Sequence, residues 1–585
     1  MNWIDWLVML ATLIGIAAYG IWRTRHIRSS ETHMRGSDDL NWMVIGFNIM
    51  ATQASAVTFL SLPGQAYEDG MRFVQFYFGL PLAMIFLSIF VIPYYYKLKI
   101  YTAYEYLENR FGVNTRVFTA LLFLLQRGFS TGLSFFAPSI VMSQLLGWSL
   151  NFTILFIAGL ILAYTYVGGY KAVSYTQTLQ FSVIWLGLFL AAGIVFFQLP
   201  SDVHFSDALN IAGKMGKVNL VDFKFDLSNR YNFWSGIIGG AFLAISYFGT
   251  DQSQVARYLG GKSLAEGRLG LMLNAMIKVP MQFLILGVGV LVFVFYLFNQ
   301  APLHFNANNV NRLSGSAAEQ YQGLETQQKL VFEQRRTAVD QMMKAMRSGD
   351  DKGTALAKAE VETLHATELQ LREDAKTLIK DHVPDAATKD TDYVFISYVL
   401  KYMPIGVIGL LLAMILAAAC SSGASAINAL ATTTVIDIYQ RLYKPEASDR
   451  HYLRMSKFFV AGWCLISLGF AFSAQLFDNL IQAVNIIGSI FYGVILGVFL
   501  AAFFQPKVKG QAVFIAAILT QIIVIVVYVL SEYKIDLNLF GLVIPVRVAY
   551  LWLNLIGCLL VMGIAGLLQG VMPEKGDKNI VDASA

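Results

Sequence analysis

Charge is scarce in this chain. Only 14% of its 585 residues are Asp, Glu, Lys or Arg, against 56% hydrophobic, and the mean hydropathy is +0.56. A soluble domain carries about 25% charged residues, so a water-facing globular fold is excluded. Cysteine is nearly missing. Cys420, Cys464 and Cys558 all lie inside apolar runs, at spacings that suit neither a disulfide framework nor a metal site. The seven histidines form no HExxH pair, and no GxxxxGK[ST] phosphate loop occurs, so no enzyme signature stands out and no organic cofactor is expected. The net charge of +5 is spread over loops and not gathered in a patch, which argues against nucleic acid as a partner. The first apolar run has neither a basic leader nor a small-residue cleavage site, so it reads as a retained helix.

What the chain has instead is a succession of apolar runs, each near the roughly 20 residues that span a bilayer. The expected fold is an all-α polytopic membrane protein with about thirteen spans. They lie near 6–22, 42–66, 73–96, 117–146, 152–167, 179–199, 231–247, 269–298, 405–438, 458–473, 480–504, 512–530 and 546–568. Basic residues mark alternate loops: Arg23, Arg25, Arg28 and Arg35; Lys97 and Lys99; Arg257 and Lys262; Arg441, Lys444, Arg450 and Arg454; Lys507 and Lys509; Lys575 and Lys578. The short loops near Gly147 and Gln475 carry none. The positive-inside rule then puts the amino terminus outside and the carboxyl terminus in the cytoplasm of a plasma or inner membrane. Residues 1–298 hold the first eight spans, 393–570 the rest, and 571–585 a cytoplasmic tail.

Residues 299–392 form the one soluble insertion, outside the membrane. Ser316 and Glu319 match a capping box. Apolar residues then recur at helical spacing (Tyr321, Leu324, Val331, Ala338, Met342, Ala345), and again after a turn at 348–353 (Ala357, Val361, Leu364, Leu371, Ala375, Leu378). Two amphipathic helices joined this way make an antiparallel hairpin, either a solvated structural arm or a docking surface for an extracytoplasmic partner.

Polar groups inside spans are costly and point to function. In the ninth span, Ala418, Ser421 and Ser422 share one helix face at i, i+3 and i+4, offering the oxygens that a hard cation such as sodium needs. In the second span, Thr52, Gln53, Ser55 and Thr58 sit near the midplane. An intact helix could hide these hydroxyls against its own carbonyls. A broken one would free the carbonyls near Ala51 and Ala54 to complete a cation site. Arg127 and Lys278 lie deep in spans four and eight. Arg127 could fork onto a solute carboxylate or neutralise a buried acid. Asp251 and Asp437 lie near inner helix ends, where an interfacial ion pair is expected. The Gly-Gly pairs at Gly168, Gly239 and Gly260 read as turns and tight helix contacts.

Several stretches together resemble the sodium/solute symporter family: SAVTFLSLPGQAYEDG (55–70), TAYEYLENRFG (102–112), YVGGYKAVSYTQTLQ (166–180), GTDQSQVARYL (249–259) and CSSGASAINALATTTVIDIY (420–439). The resemblance implies a LeuT-type fold, with inverted five-helix repeats over spans two to six (42–199) and seven to eleven (from 231). It implies a sodium site at Ala51, Ala54, Ala418, Ser421 and Ser422. A second ion site of some members uses an Asp where Gln177 stands, so one ion is implied here. Solute contacts carried over are Gln53, Ser55, Thr58, Phe73, Tyr77, Arg127, Tyr247 as an inner aromatic gate, Lys278 and Gln482. The sugar-carrier pattern is broken at Thr58 and Ala244. The expected function is therefore sodium-coupled import of a small polar solute, an organic anion of monocarboxylate or sialic-acid type, by alternating access. The alternatives are a sugar or other neutral solute, a transporter-like sensor with the hairpin as its arm, and a channel.

Overall fold

The computed structural model describes residues 1–24, 40–98, 100–384, 386, 388–473, 479–539 and 542–572. Arg25, Arg28, Arg35, Lys99, Gln475, Lys575 and Lys578, which the topology reading uses, lie outside them. In chain order the helices are α1 (Trp3–Thr24), α2 (Trp42–Gln53), α3 (Ala56–Asp69), α4 (Leu80–Phe86), α5 (Ile92–Leu98), α6 (Ala103–Phe111), α7 (Val113–Leu146) and α8 (Leu150–Phe197). Next come α9 (Phe205–Lys214), α10 (Gly240–Thr250), α11 (Gln252–Leu259), α12 (Leu264–Phe298), α13 (Ser316–Ser348), α14 (Asp351–His382), α15 (Val394–Tyr402) and α16 (Val407–Thr433). The last are α17 (Asp449–Ser473), α18 (Leu480–Phe504), α19 (Gly510–Glu532) and α20 (Trp552–Val571). Among the described residues, ten helices are long and apolar enough to cross a membrane. Bulky apolar side chains on their outer faces, such as Phe189, Leu465 and Leu567, are exposed, as lipid contact requires.

The second span is not one helix. α2 stops at Gln53, Ala54 leaves helical geometry (φ −82°, ψ 81°), Ser55 is extended (φ −86°, ψ 168°), and α3 restarts at Ala56. Thr52, Gln53, Ser55 and Thr58 supply the side chains that compete with a helical ladder here. α12 lies along both halves of this broken helix, and α16 packs on α7 and α8. α18 packs on α7 and carries α19 and α20 on its other side, while α1 leans on α16 and α8.

Several expected boundaries differ. The third span opens as a 3-10 turn, Gly70–Tyr77, and a π turn, Leu87–Val91, joins α4 to α5. Spans five and six form one helical stretch, α8, instead of meeting in a turn at Gly168. Glycine lowers helix propensity by about 1 kcal/mol, too little to break a strongly apolar helix by itself. The thirteenth span starts at Trp552, because two short antiparallel strands, β1 (Asp536–Leu539) and β2 (Leu542–Pro545), precede it. Their four-residue length gave the sequence no alternation to read.

The insertion is the expected hairpin. α13 and α14 pack along each other and turn at Gly349 (φ 72°), with Asp350 capping Gly353. The expected capping box is not formed: Ser316 is already the first helical residue, preceded by Gly315. The hairpin is fastened to the body by arginines. Arg335 pairs with Glu368 and donates to the Tyr296 carbonyl at 2.7 Å, and Arg336 donates to that of Phe298 at 3.0 Å. Arg372 donates to the carbonyl of Pro302 and to the Asp390 carboxylate at 3.0 Å.

Candidate functional site

The break in the second span lies against α16. The Ser421 hydroxyl donates to the Ala51 carbonyl at 3.3 Å, and that carbonyl is one of those left over where α2 ends. Ser422 donates to the Ala418 carbonyl at 2.9 Å, which leaves its lone pairs free to accept a cation. Ala51, Ala418 and Ser421 are completely buried and Ser422 nearly so. Ala54 sits in the break itself, also buried. The five residues expected to form a cation site thus fall on the break and on the helix face packed against it. Gln177 adjoins them: its amide nitrogen reaches Thr52 at 3.0 Å, Ser421 at 3.0 Å and Ser425 at 2.9 Å. Ser425 in turn accepts from Arg257 at 2.6 Å. A neutral amide and a guanidinium therefore stand beside the site, where a second cation would need a carboxylate.

A cavity of about 110 Å³ opens on the other side of the break. Gln53, Ser55, Thr58, Tyr77, Arg127 and Tyr247, all expected solute contacts, line it. Three others do not. Phe73 is buried in an aromatic stack with Phe76 at 5.4 Å and Tyr231 at 5.0 Å. Lys278 is buried on α12, away from the cavity wall, and pairs with no carboxylate among the described residues. Gln482 is one residue past the wall: it donates to Gln65 at 3.0 Å and accepts from Arg230 at 2.9 Å. Phe76, Gln126, Ser130, Asn485 and Tyr492 line the cavity without having been singled out. Gln126 and Ser130 flank Arg127 one turn apart and are bonded to each other at 3.0 Å. Polar residues in that apolar helix were the available signal.

Polar side-chain contacts cross both ends of the cavity. Toward the side that the charge pattern assigns to the cytoplasm, Arg127 meets Asp251 at 3.5 Å and lies over the Tyr247 ring at 5.8 Å. Tyr492 donates to Asp251 at 2.9 Å, and Gln254 to Tyr247 at 2.6 Å. Asp251 is therefore fully buried and not interfacial. Asp437 is buried as well, held by Arg116 at 2.7 Å and Thr102 at 2.7 Å. The cost of burying these acids is met by pairing in place of snorkelling. At the opposite end, Gln482 and Gln65 bridge α18 to α3, and Gln65 is bonded to Asp69. Gly64 of α3 abuts the Thr391 carbonyl so closely that a Cβ would come within 2.0 Å of it.

The chain is similar to known carriers along much of its length. It is 31% identical to the human sodium/iodide cotransporter over 275 residues, which is 46% of this chain and 41% of that protein. It is 30% identical to the human sodium-coupled monocarboxylate transporter 1 over 273 residues, 46% of this chain and 44% of that one. The chain thus spans under half the length of these relatives. Its match to the sodium/sialic acid symporter SiaT of Proteus mirabilis is weaker but longer: 23% identity over 556 residues, covering 92% and 91% of the two chains. In fold it resembles the solved structure of a Na+-coupled sialic acid symporter in a substrate-bound outward-open state, with a TM-score of 0.72, 20% identity and 98% of both chains covered. The sodium:solute symporter family model matches residues 33–317 and 374–520, with the hairpin falling largely between the two matched blocks, and the chain belongs to that family.

Proposed function

We propose that the protein carries a small organic anion inward with one sodium ion, by alternating access. The observation that carries the reading is the contact across the break, Ser421 to the Ala51 carbonyl at 3.3 Å. It puts hydroxyls and a freed carbonyl together at midspan, as a hard, dehydrated cation requires. The solute class rests on Arg127. Its Nε is buried without a hydrogen-bond partner, and its contact with Asp251 at 3.5 Å is looser than a bidentate pair. A carboxylate entering the cavity would satisfy that donor. The small cavity suits a compact monocarboxylate better than a bulky sugar acid, and the monocarboxylate carrier among the relatives supports that choice. Sodium binding on α2 and α16 favours the outward-open state, and solute binding then favours closure, so each ligand raises the affinity for the other equally.

The test is uptake into proteoliposomes of pyruvate, glucose and sialic acid, each with a sodium or a potassium gradient. Sodium-dependent pyruvate uptake is expected. Uptake that ignores the cation would refute the coupling, and sodium-driven glucose uptake without pyruvate uptake would refute the solute class.

A further inference from the structure

A second cleft of about 520 Å³ opens on the outer end of the bundle and shares no lining residue with the central cavity. Its walls come from the end of α19, the turn that follows, the segment 547–550 that leads to α20, and Ser228 and Arg230 of the loop before α10. Arg230, Lys534 and Arg547 line it against a single lining carboxylate, Glu532. That carboxylate does not neutralise the set. Glu532 stands 4.0 Å from Arg230, beyond hydrogen-bond range. Arg547 is held in place by Asp536 at 2.7 Å and the Lys534 carbonyl at 3.0 Å. Lys534 has no carboxylate partner among the described residues. It is also the one non-glycine residue among them with a positive φ, 53°, a backbone conformation held at some cost in strain. Tyr528, Tyr550 and Ser531 add hydroxyls to the same wall. Guanidinium, ammonium and hydroxyl donors around an open cleft match an anionic oxygen group.

The cleft is wired to the outer gate. Arg230, one of its three cations, donates to Gln482 at 2.9 Å; Gln482 donates to Gln65 at 3.0 Å; Gln65 is bonded to Asp69. An anion in the cleft competes with Gln482 for the Arg230 guanidinium.

We propose that this cleft is an anion site, taking a carboxylate or phosphate group from the outer side, and that its occupancy loosens the Gln482–Gln65 bridge between α18 and α3. The inference stands whether or not the central cavity carries an anion. An anion can come from dissolved solute or from a lipid headgroup, and the experiment separates these sources. Hydrogen–deuterium exchange is followed on the full-length protein in sodium-free phosphatidylcholine nanodiscs titrated with pyruvate, and in nanodiscs containing phosphatidylglycerol without pyruvate. Protection of residues 528–534 is expected, with faster exchange in the first turn of α18. In K534Q the half-saturating pyruvate concentration should rise about tenfold, the loss of about 1.4 kcal/mol, while residues 53–58 behave as in the parent protein. Protection by pyruvate in the neutral lipid assigns the site to dissolved anions; protection only with phosphatidylglycerol assigns it to a headgroup phosphate. Protection by neither, or protection undiminished in K534Q, overturns the site. Unchanged exchange at residues 480–485 on filling the cleft overturns its link to the gate.

Discussion

Ser421 does two jobs at once. Its hydroxyl donates to the Ala51 carbonyl, and its oxygen accepts from Gln177. Replacing it with alanine removes a proposed cation ligand and leaves the Gln177 amide one acceptor short. Losing a single such contact is worth about 1–3 kcal/mol, so S421A should raise the sodium concentration for half-maximal uptake by about tenfold or more. S422A should act in the same direction, and uptake curves against sodium that overlay the parent protein's would remove both serines from the site. Gln177 supports the converse experiment. Its amide contacts Thr52, Ser421 and Ser425, so Q177D would put a carboxylate among three hydroxyls. That set suits a second hard cation. The sodium dependence of uptake in Q177D should become steeper, with a Hill coefficient rising from near one toward two; a coefficient that stays near one counts against the place of Gln177 in setting the ion number.

The hairpin and the segment that returns from it carry two acids with opposite fates. Burial raises the pKa of Asp390, but Arg372 and His304 lower it further, and the carboxyl ends well below the usual range. Asp392, two residues on, is pushed by burial up to about 7, with the Leu480 N–H opposing and Glu68 adding to the rise. The signs of their stability contributions follow. Asp390 stabilises fully above the unfolded carboxylate pKa of about 3.9 and loses that contribution as pH falls below it. Asp392 stabilises fully below about 3.9, and its contribution fades as pH rises toward 7. Thermal unfolding in detergent should therefore show stability falling between about pH 4 and 7, and D392N should flatten that slope. D390N should instead cost about 3–5 kcal/mol by stranding Arg372, whatever the pH above 4. The hairpin itself was legible, because apolar residues at helical spacing on both sides of SGDDKG leave little else to build. Its fastening was not, because Arg335 and Arg372 meet carbonyls of Tyr296 and Pro302 that no side-chain pattern reports. The break at Ala54 was legible from hydroxyls crowded at midspan. The β1–β2 pair was too short to leave a periodicity.

At the scale of the whole molecule, polar contacts cross both ends of the central cavity in one structure. Arg127, Asp251 and Tyr492 meet at one end, and Gln65 and Gln482 at the other. A carrier needs contacts that can close each end in turn, whereas a channel needs a continuous path. The cavity lining shows why Arg127 was legible and the place of Gln482 was not. Arg127 stands out as a buried cation deep in an apolar helix. Gln482 lies one residue from a cavity wall, and a step of one residue on a helix turns a side chain by about 100°, here from the cavity to the Gln65 bridge. Charge movement then separates the two solute classes. One sodium ion falling through about 100 mV releases about 2.3 kcal/mol, and a tenfold sodium gradient about 1.4 kcal/mol. Carried with a neutral solute, the ion delivers both terms and supports accumulation of several hundredfold. Carried with a monovalent anion, the pair is electrically neutral, the potential cancels, and about tenfold remains. Sodium-driven pyruvate uptake into proteoliposomes should therefore proceed at the same initial rate with the interior clamped at zero or at a negative potential, and should produce no current on a solid-supported membrane. A rate that climbs with the negative potential would mean a second sodium ion, and the proposed single-ion site at Ser421 and Ser422 would not account for the coupling.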